Sequence, residues 1–262
     1  MLKNISQPST YPSTIYYPVD PNPSHRFSYA ENYKDLAKNY FLEYAFFQSL
    51  NTEEKNTIFK NIKIKHFNHN HIIHTQNDIC NELNLVIKGT IKINWLSYDG
   101  RSIIYKFLPS GFLFGFLAII SKQDLAHSHI AYGHTVIASI PSQVFLNVLK
   151  NNSAALYAVL ELICQRNLLL FDDVYLQNTL SLRIRLARQL VFLIKYFSNE
   201  TPGNIKLSIK LSQETLSELL NTSRQSINKE LSWFSQEKIL EVKYNQIYII
   251  DYTQLHKIAK IT

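Results

Sequence analysis

The chain has 262 residues, 46% hydrophobic and 18% charged, with a formal net charge of +7. That composition fills two modest cores and excludes wholesale disorder. Cys80 and Cys164 are the two cysteines and have no metal-ligand spacing, so ordinary reduced thiols are predicted. No apolar run reads as a membrane span or as the core of a secretory signal, which predicts a soluble, cytoplasmic protein without a membrane partner.

Residues 1–26 are rich in Pro, Ser, Asn and Tyr and show no apolar period, so a flexible arm is predicted. Helical periodicity follows up to residue 60 in ENYKDLAKNYFLEYAFFQSL and NTEEKNTIFKNI, with Asn51 placed as an N-cap and Glu53 and Glu54 in the turn after it. Between residues 62 and 140 the pattern changes to short alternating runs: IKIKHF, HIIHTQ, LNLVIKGTIKINWLS, SIIYKFLP and TVIASIP. Asn77-Asp78, Lys88-Gly89, Asp99-Gly100 and Ser110-Gly111 supply turns between them, as an antiparallel barrel or jelly roll requires.

After Pro141 the pattern is helical again, and from Ser153 to about Phe197 there is no Gly or Pro. Leu156, Val159, Ile163, Leu170, Val174 and Leu180 recur near the heptad period. Such a stripe pairs the helix with its twin in a homodimer or packs it on the β-domain of its own chain, and spacing alone leaves both readings open. NETPGN, residues 199–204, then breaks the chain before a short strand at 205–211.

Residues 211–236, LSQETLSELLNTSRQSINKELSWFSQ, read as two helices broken at Asn221 and Thr222, the pattern of a helix-turn-helix. Leu216, Leu219 and Leu220 form one apolar stripe and Ile227, Leu231 and Phe234 another. Thr222 and Gln225 are placed as a capping box at the start of the second helix. The opposite face carries Arg224, Gln225, Asn228, Lys229 and Ser232, which combine bidentate donors, an amide reader and phosphate partners. Ser212 and Ser223 join this candidate DNA-contacting set at the two helix starts. An ordinary helical hairpin with a solvated polar face is the alternative. Against it, ILEVKYNQIYIID at 239–251 alternates and turns at Asn245 and Gln246, like the wing of a winged helix. Residues 176–262 also carry 12 Lys and Arg against 7 Asp and Glu, a charge balance suited to double-stranded DNA. The predicted fold is thus α+β: an arm at 1–26, a β-roll domain at 27–150, a dimerisation helix at 151–180 and a winged helix-turn-helix at 181–262.

That order of elements resembles the Crp-Fnr family of bacterial transcription regulators. The resemblance rests on IIHTQNDICNELNLVIKGTIKINWLSYDGRSIIYKFLPSGFLFG in the roll, SLRIRLARQLVFL after the long helix and LSQETLSELLNTSRQSINKELSWFSQEKILEV in the DNA-binding part. It implies a homodimer on inverted-repeat operators and contact with RNA polymerase. It also implies base contacts by Arg224, Gln225 and Lys229, with Ser226 on phosphate.

The resemblance fails where an effector would bind. Family members that hold a cyclic nucleotide carry a Gly-Glu pair and, shortly after, an Arg-Ser or Arg-Thr pair, whereas this chain has Gly115-Phe116 followed by LAIISKQDLAHSHIAY without arginine. A buried cyclic phosphate without a cationic partner is strongly unfavourable, so no response to cAMP is predicted. No cysteine precedes Cys80, which excludes an N-terminal iron-sulfur cluster, and no cofactor is implied. His66, His69, His71 and His74, with the HxH pair His127 and His129, raise a cupin-like metal enzyme as a rival. No carboxylate follows the HxH, however, and solvated strand-edge histidines are expected. Phe112, Phe114 and Phe116 are read as core filler, with an apolar pocket for another small molecule as the alternative.

Overall fold

The computed structural model describes residues 32–201 and 204–260, so the arm expected at 1–26 lies outside the described residues. Three helices come first: α1 (Tyr33–Leu42), α2 (Ala45–Gln48) and α3 (Thr52–Lys60). Asn32 caps α1 by accepting from the amides of Lys34 and Asp35. Asn51 and Glu54 close a reciprocal capping box on α3, where the cap is predicted. These helices deliver Phe41, Tyr44, Phe46 and Phe47 to one core. Within it the Tyr44 hydroxyl donates to the Gly111 carbonyl at 2.7 Å and accepts from the Leu113 amide at 3.0 Å. Burial pushes that phenol up to about 12, so it stays a neutral bridge between helices and roll.

The roll consists of β1 (Lys63–Phe67), β2 (Ile72–His74), β3 (Glu82–Lys88), β4 (Ile91–Leu96), β5 (Ser102–Leu108), β6 (Leu113–Phe114), the short helix α4 (Phe116–Ser121), β7 (Ser128–Ala131) and β8 (Thr135–Pro141). They form two antiparallel sheets in jelly-roll order, β1-β8-β3-β6 and β2-β7-β4-β5. The first sheet is covered on both faces. Leu83, Leu85, Ile87, Val136, Ala138 and Ile140 meet the helices, while Val86 and Ile137 meet Ile91, Ile93, Leu108 and Phe114 inside the roll. Two-sided burial is why β3 and β8 are nearly continuous apolar runs. The β3–β4 turn needs glycine: Gly89 has φ +88°, and a Cβ there would lie 2.4 Å from the His134 carbonyl oxygen.

α5 (Ser142–Asn151) passes through Asn152, whose side chain caps α6 (Ser153–Thr179). The Gly- and Pro-free stretch to residue 197 holds two helices, divided where the sequence separates the helix at 151–180 from the winged domain at 181–262. Leu180 and Ser181 are extended, with ψ 147° and 155°, and α7 (Leu182–Phe197) begins anew. Leu180 therefore drops out of the heptad stripe. By length and composition alone α6 is long and apolar enough to cross a membrane, where the sequence reading finds no apolar run of that length. Ala155, Ala158, Val159 and Leu162 of α6 enter the core beneath the roll.

The C-terminal part comprises β9 (Ser198–Thr201), β10 (Asn204–Leu207), α8 (Gln213–Leu219), α9 (Arg224–Gln236), β11 (Leu240–Lys243), β12 (Gln246–Ile249) and α10 (Tyr252–Ala259). Where the sequence predicts a break at 199–204, β9 and β10 pair as a hairpin, extending the wing sheet to β11-β12-β10-β9. α10 carries no expectation from the sequence, although Asp251 followed by Leu255, Ile258 and Ala259 is a cap with a helical apolar stripe. Leu186, Leu190, Leu216, Ile227, Leu231, Phe234 and Leu255 make one core, and Ile104 and Phe107 of β5 join it. The roll and the DNA-binding part are thus packed together, and Tyr132 donates its hydroxyl to the Lys210 carbonyl across the junction.

Candidate DNA interface

α8 and α9 meet through the two apolar stripes expected of them, since Leu216, Leu219, Leu220, Ile227, Leu231 and Phe234 are all buried. The turn is made by Asn221 at φ 46°, a left-handed residue directly after the helix end. Thr222 is still within that turn, its amide donating to the Ser217 carbonyl at 3.0 Å. The cap consequently falls one residue later than predicted: Ser223 accepts from the Ser226 amide at 3.1 Å, and Gln225 takes no part. Ser212 performs the same service for α8, accepting from the Thr215 amide at 3.0 Å. Both serines therefore have structural work at the helix starts. The wing turn also shifts by one residue, because Lys243 pairs with Gln246 and leaves Tyr244 and Asn245, at φ 51° and 61°, as the two-residue loop.

Packing Ile227, Leu231 and Phe234 inward leaves Arg224, Gln225, Asn228, Lys229 and Ser232 exposed along the other side of α9, with Ser226 half-buried. Two of these are already organised. Gln213, the first residue of α8, donates from Nε2 to Asn228 Oδ1 at 2.9 Å and accepts from Arg224 Nε at 3.4 Å. Gln213 is absent from the sequence-derived set because nothing in the spacing of α8 distinguishes it from a solvated first-turn residue. Several C-terminal cations, in contrast, are committed inside the chain. Arg183 pairs with Glu230 at 2.7 Å and lies over the Trp233 ring at 3.8 Å. Arg185 donates to the Leu220 carbonyl and Arg188 to the Ala259 carbonyl. The positive balance of this region thus overstates the charge offered to a phosphate backbone.

In the roll, Phe114 and Phe116 are buried and Phe112 packs beside them, which is the filler role. A guanidinium does reach the roll from another element: Arg166 of α6 lies over Phe112 at 4.1 Å and Phe116 at 4.8 Å and donates to the Leu113 carbonyl at 2.8 Å. The histidines divide. His66, His69, His71 are exposed as expected, but His129 is buried and His74 and His127 half-buried, against the expectation of solvated edges. Ring centroids lie 5.4 Å apart for His74 and His129 and 4.9 Å for His127 and His129. His129 lies in β7 and His127 directly before it, and their rings meet as the HxH spacing allows. Burial holds all three imidazoles below the ordinary histidine range, His129 furthest. Among the described residues no three His, Cys, Asp or Glu side chains are grouped to hold a metal ion.

The heptad positions on α6 also divide. Val159 is buried in this chain's own core and Ile163 packs on it half-buried, while Leu156, Leu170 and Val174 are exposed. A different line is exposed at spacings of three and four: Tyr157, Leu160, Cys164, Leu168, Phe171 and Tyr175. Sequence periodicity finds the apolar positions of such a helix without sorting them between the side that packs on the core and the side left exposed.

A jelly roll, a long connecting helix and a winged helix-turn-helix with an open polar face define a DNA-binding regulator carrying a sensor-type domain. Residues 64–152 match the cyclic nucleotide-binding domain family and residues 184–258 the Crp-like helix-turn-helix domain family. The chain is 22% identical over 222 residues to a CRP-like cAMP-activated global transcriptional regulator of Mycobacterium tuberculosis, covering 82% of this chain and 96% of that one. It is 21% identical to the global nitrogen regulator of Synechococcus elongatus, over 72% and 86% of the two chains. A solved structure from Eubacterium rectale, described as a Crp/Fnr-family transcriptional regulator, superposes with a TM-score of 0.70 at 24% identity, covering 85% of this chain and all of that one. A CRP-family regulator of Thermus thermophilus gives 0.63 at 22% identity, covering 76% and 97%. The chain carries these two domains and shares the fold of the Crp-Fnr transcription regulators.

Proposed function

We propose that the protein is a homodimeric, sequence-specific transcription regulator that reads inverted-repeat operators through α9, independently of cAMP and without catalysing a reaction. The carrying observation is that Arg224, Gln225, Asn228 and Lys229 stand exposed on one side of α9 while its other side is locked into the core. Such a helix presents side chains to base edges in a major groove, and its twin in a two-fold dimer meets the groove one turn away. Residues 27–150, 151–180 and 181–262 act as sensor-like, pairing and reading units. The exposed line from Tyr157 to Tyr175 is the seam that supports pairing. The chain works in the cytoplasm, where RNA polymerase is its partner at promoters.

Independence of cAMP is supported by Phe116, which stands where the resemblance places a ribose-binding carboxylate, and by Arg166, which is stacked over that ring. The curated relative described as cAMP-activated is one reason to test this directly. Selection of bound fragments from genomic DNA tests the whole reading. An inverted-repeat motif with half-sites about one helical turn apart is expected. Binding that ranks fragments only by length and vanishes uniformly with salt would overturn it.

A further inference from the structure

Arg224, Gln213 and Asn228 form a hydrogen-bonded line across the open face of the helix-turn-helix, and the line has a direction. Arginine has donors and no acceptor, so the atom of Gln213 that faces Arg224 Nε must be the carbonyl oxygen. The bond is Arg224 Nε to Gln213 Oε1 at 3.4 Å. This sets the other end of the same carboxamide. Its Nε2 faces Asn228 and donates to Oδ1 at 2.9 Å. The Asn228 carboxamide is fixed in turn, with its oxygen held against α8 and its Nδ2 donors directed away from Gln213. Asparagine free to rotate offers a donor or an acceptor, or both together to adenine. Asparagine tied in this way offers its donors.

We propose that Gln213 is a positioning residue that sets the hydrogen-bonding polarity of the reading face, so that Arg224 and Asn228 both present donors and select acceptor edges, guanine first. This rests on the reading of α9 as the recognition helix and adds to it which chemistry that helix selects. Guanine shows two acceptors, N7 and O6, in the major groove, whereas cytosine shows the N4 donor. A face of two donor groups therefore favours guanine and disfavours cytosine in the same strand. Gln213 reaches this role from outside the recognition helix, at the first position of α8, where Ser212 fixes the local backbone by capping.

The test is a base-preference profile for the full chain, measured by competition between an operator and its single-base variants, with Gln213→Glu, Gln213→Ala, Asn228→Ala and Arg224→Ala beside the parent. Asn228→Ala and Arg224→Ala identify the base positions that each residue reads. Glutamate still accepts from Arg224 but has no donor for Asn228, which must turn its Nδ2 inward and its oxygen outward. Gln213→Glu is therefore expected to reverse the preference at the Asn228 position, from guanine toward cytosine or adenine, by on the order of tenfold. Gln213→Ala removes the constraint and is expected to flatten that position without reversing it. The added charge of glutamate lowers affinity for all sequences alike, so the readout is the ranking of bases. If Asn228→Ala changes a base preference that Gln213→Glu leaves intact, the positioning role is wrong while the recognition helix stands. If neither Arg224→Ala nor Asn228→Ala alters any base preference, the recognition-helix reading itself is wrong.

Discussion

Arg183 Nε donates to Glu230 Oε2 at 2.7 Å, and the same guanidinium lies 3.8 Å above the Trp233 ring, so one side chain of α7 holds α9 at two points. The pair is partly shielded, with side-chain exposures of 37% and 14%. A charge-assisted hydrogen bond combined with cation–π stacking outweighs an exposed ion pair, because desolvation strengthens both. Arg183→Ala is expected to cost about 1–3 kcal/mol of stability. Urea unfolding followed by tryptophan fluorescence checks it; an unchanged midpoint would show that α9 is held by its apolar face alone.

Arg224 is the base-reading residue most directly open to test. Arg224→Ala is expected to lower the ratio of specific to random-DNA affinity by roughly 1–3 kcal/mol while leaving non-specific binding nearly intact. Competition binding at fixed salt measures the ratio. An equal loss on both DNAs would move Arg224 from base reading to phosphate contact.

Pairing through α6 separates two sets of residues that look alike in sequence. Phe171 is 63% exposed on the helix and Val159 only 3%. Phe171→Asp is expected to leave a folded chain whose dimer dissociates on the order of thirtyfold more readily or is lost. Val159→Asp buries a charge and is expected to destabilise the fold by more than about 3 kcal/mol. Light scattering together with circular dichroism distinguishes the two outcomes, and a Phe171→Asp protein still dimeric at low micromolar concentration would rule out the seam.

The roll is expected to ignore cyclic nucleotides. Calorimetry with cAMP and cGMP should give no saturable heat, and neither should shift operator affinity, because a ligand without differential affinity moves no equilibrium. A saturable shift would mean that Arg166, stacked on Phe112 and Phe116, releases those rings to bind phosphate.

Acid should weaken the roll. His74, His127 and His129 titrate below the ordinary histidine value of about 6.5 because burial disfavours their charged forms. Around His74, Glu82 and Asp78 raise its pKa and Lys65 lowers it, all by less than burial does. As pH falls through about 6.5 the unfolded chain takes up protons that the folded chain refuses, so stability declines until the depressed folded values are reached. Unfolding measured between pH 8 and pH 5 should show this fall, and His129→Phe should flatten it. Equal slopes for parent and variant would remove His129 as a source.

Much of this protein is determined by local pattern. Period-2 runs with turn residues specify the strands of the roll, and the caps at Asn51 and Asn152 mark helix starts. The stripes Leu216-Leu219-Leu220 and Ile227-Leu231-Phe234 specify which side of the helix-turn-helix must face outward, because burial of one face leaves its opposite to solvent. What lies beyond pattern is which partner each side chain meets. Val159 and Phe171 are both apolar residues on one helix, and only the placement of the roll against α6 assigns the first inward and the second outward. Arg166 is 50 residues from Phe116, and His74 is 55 from His129, so tertiary folding alone brings these pairs into contact. Gln213 and Asn228 are the same case at shorter range: their helices are evident in the sequence, but the 2.9 Å bond exists only because the turn at Asn221 closes the helices against each other.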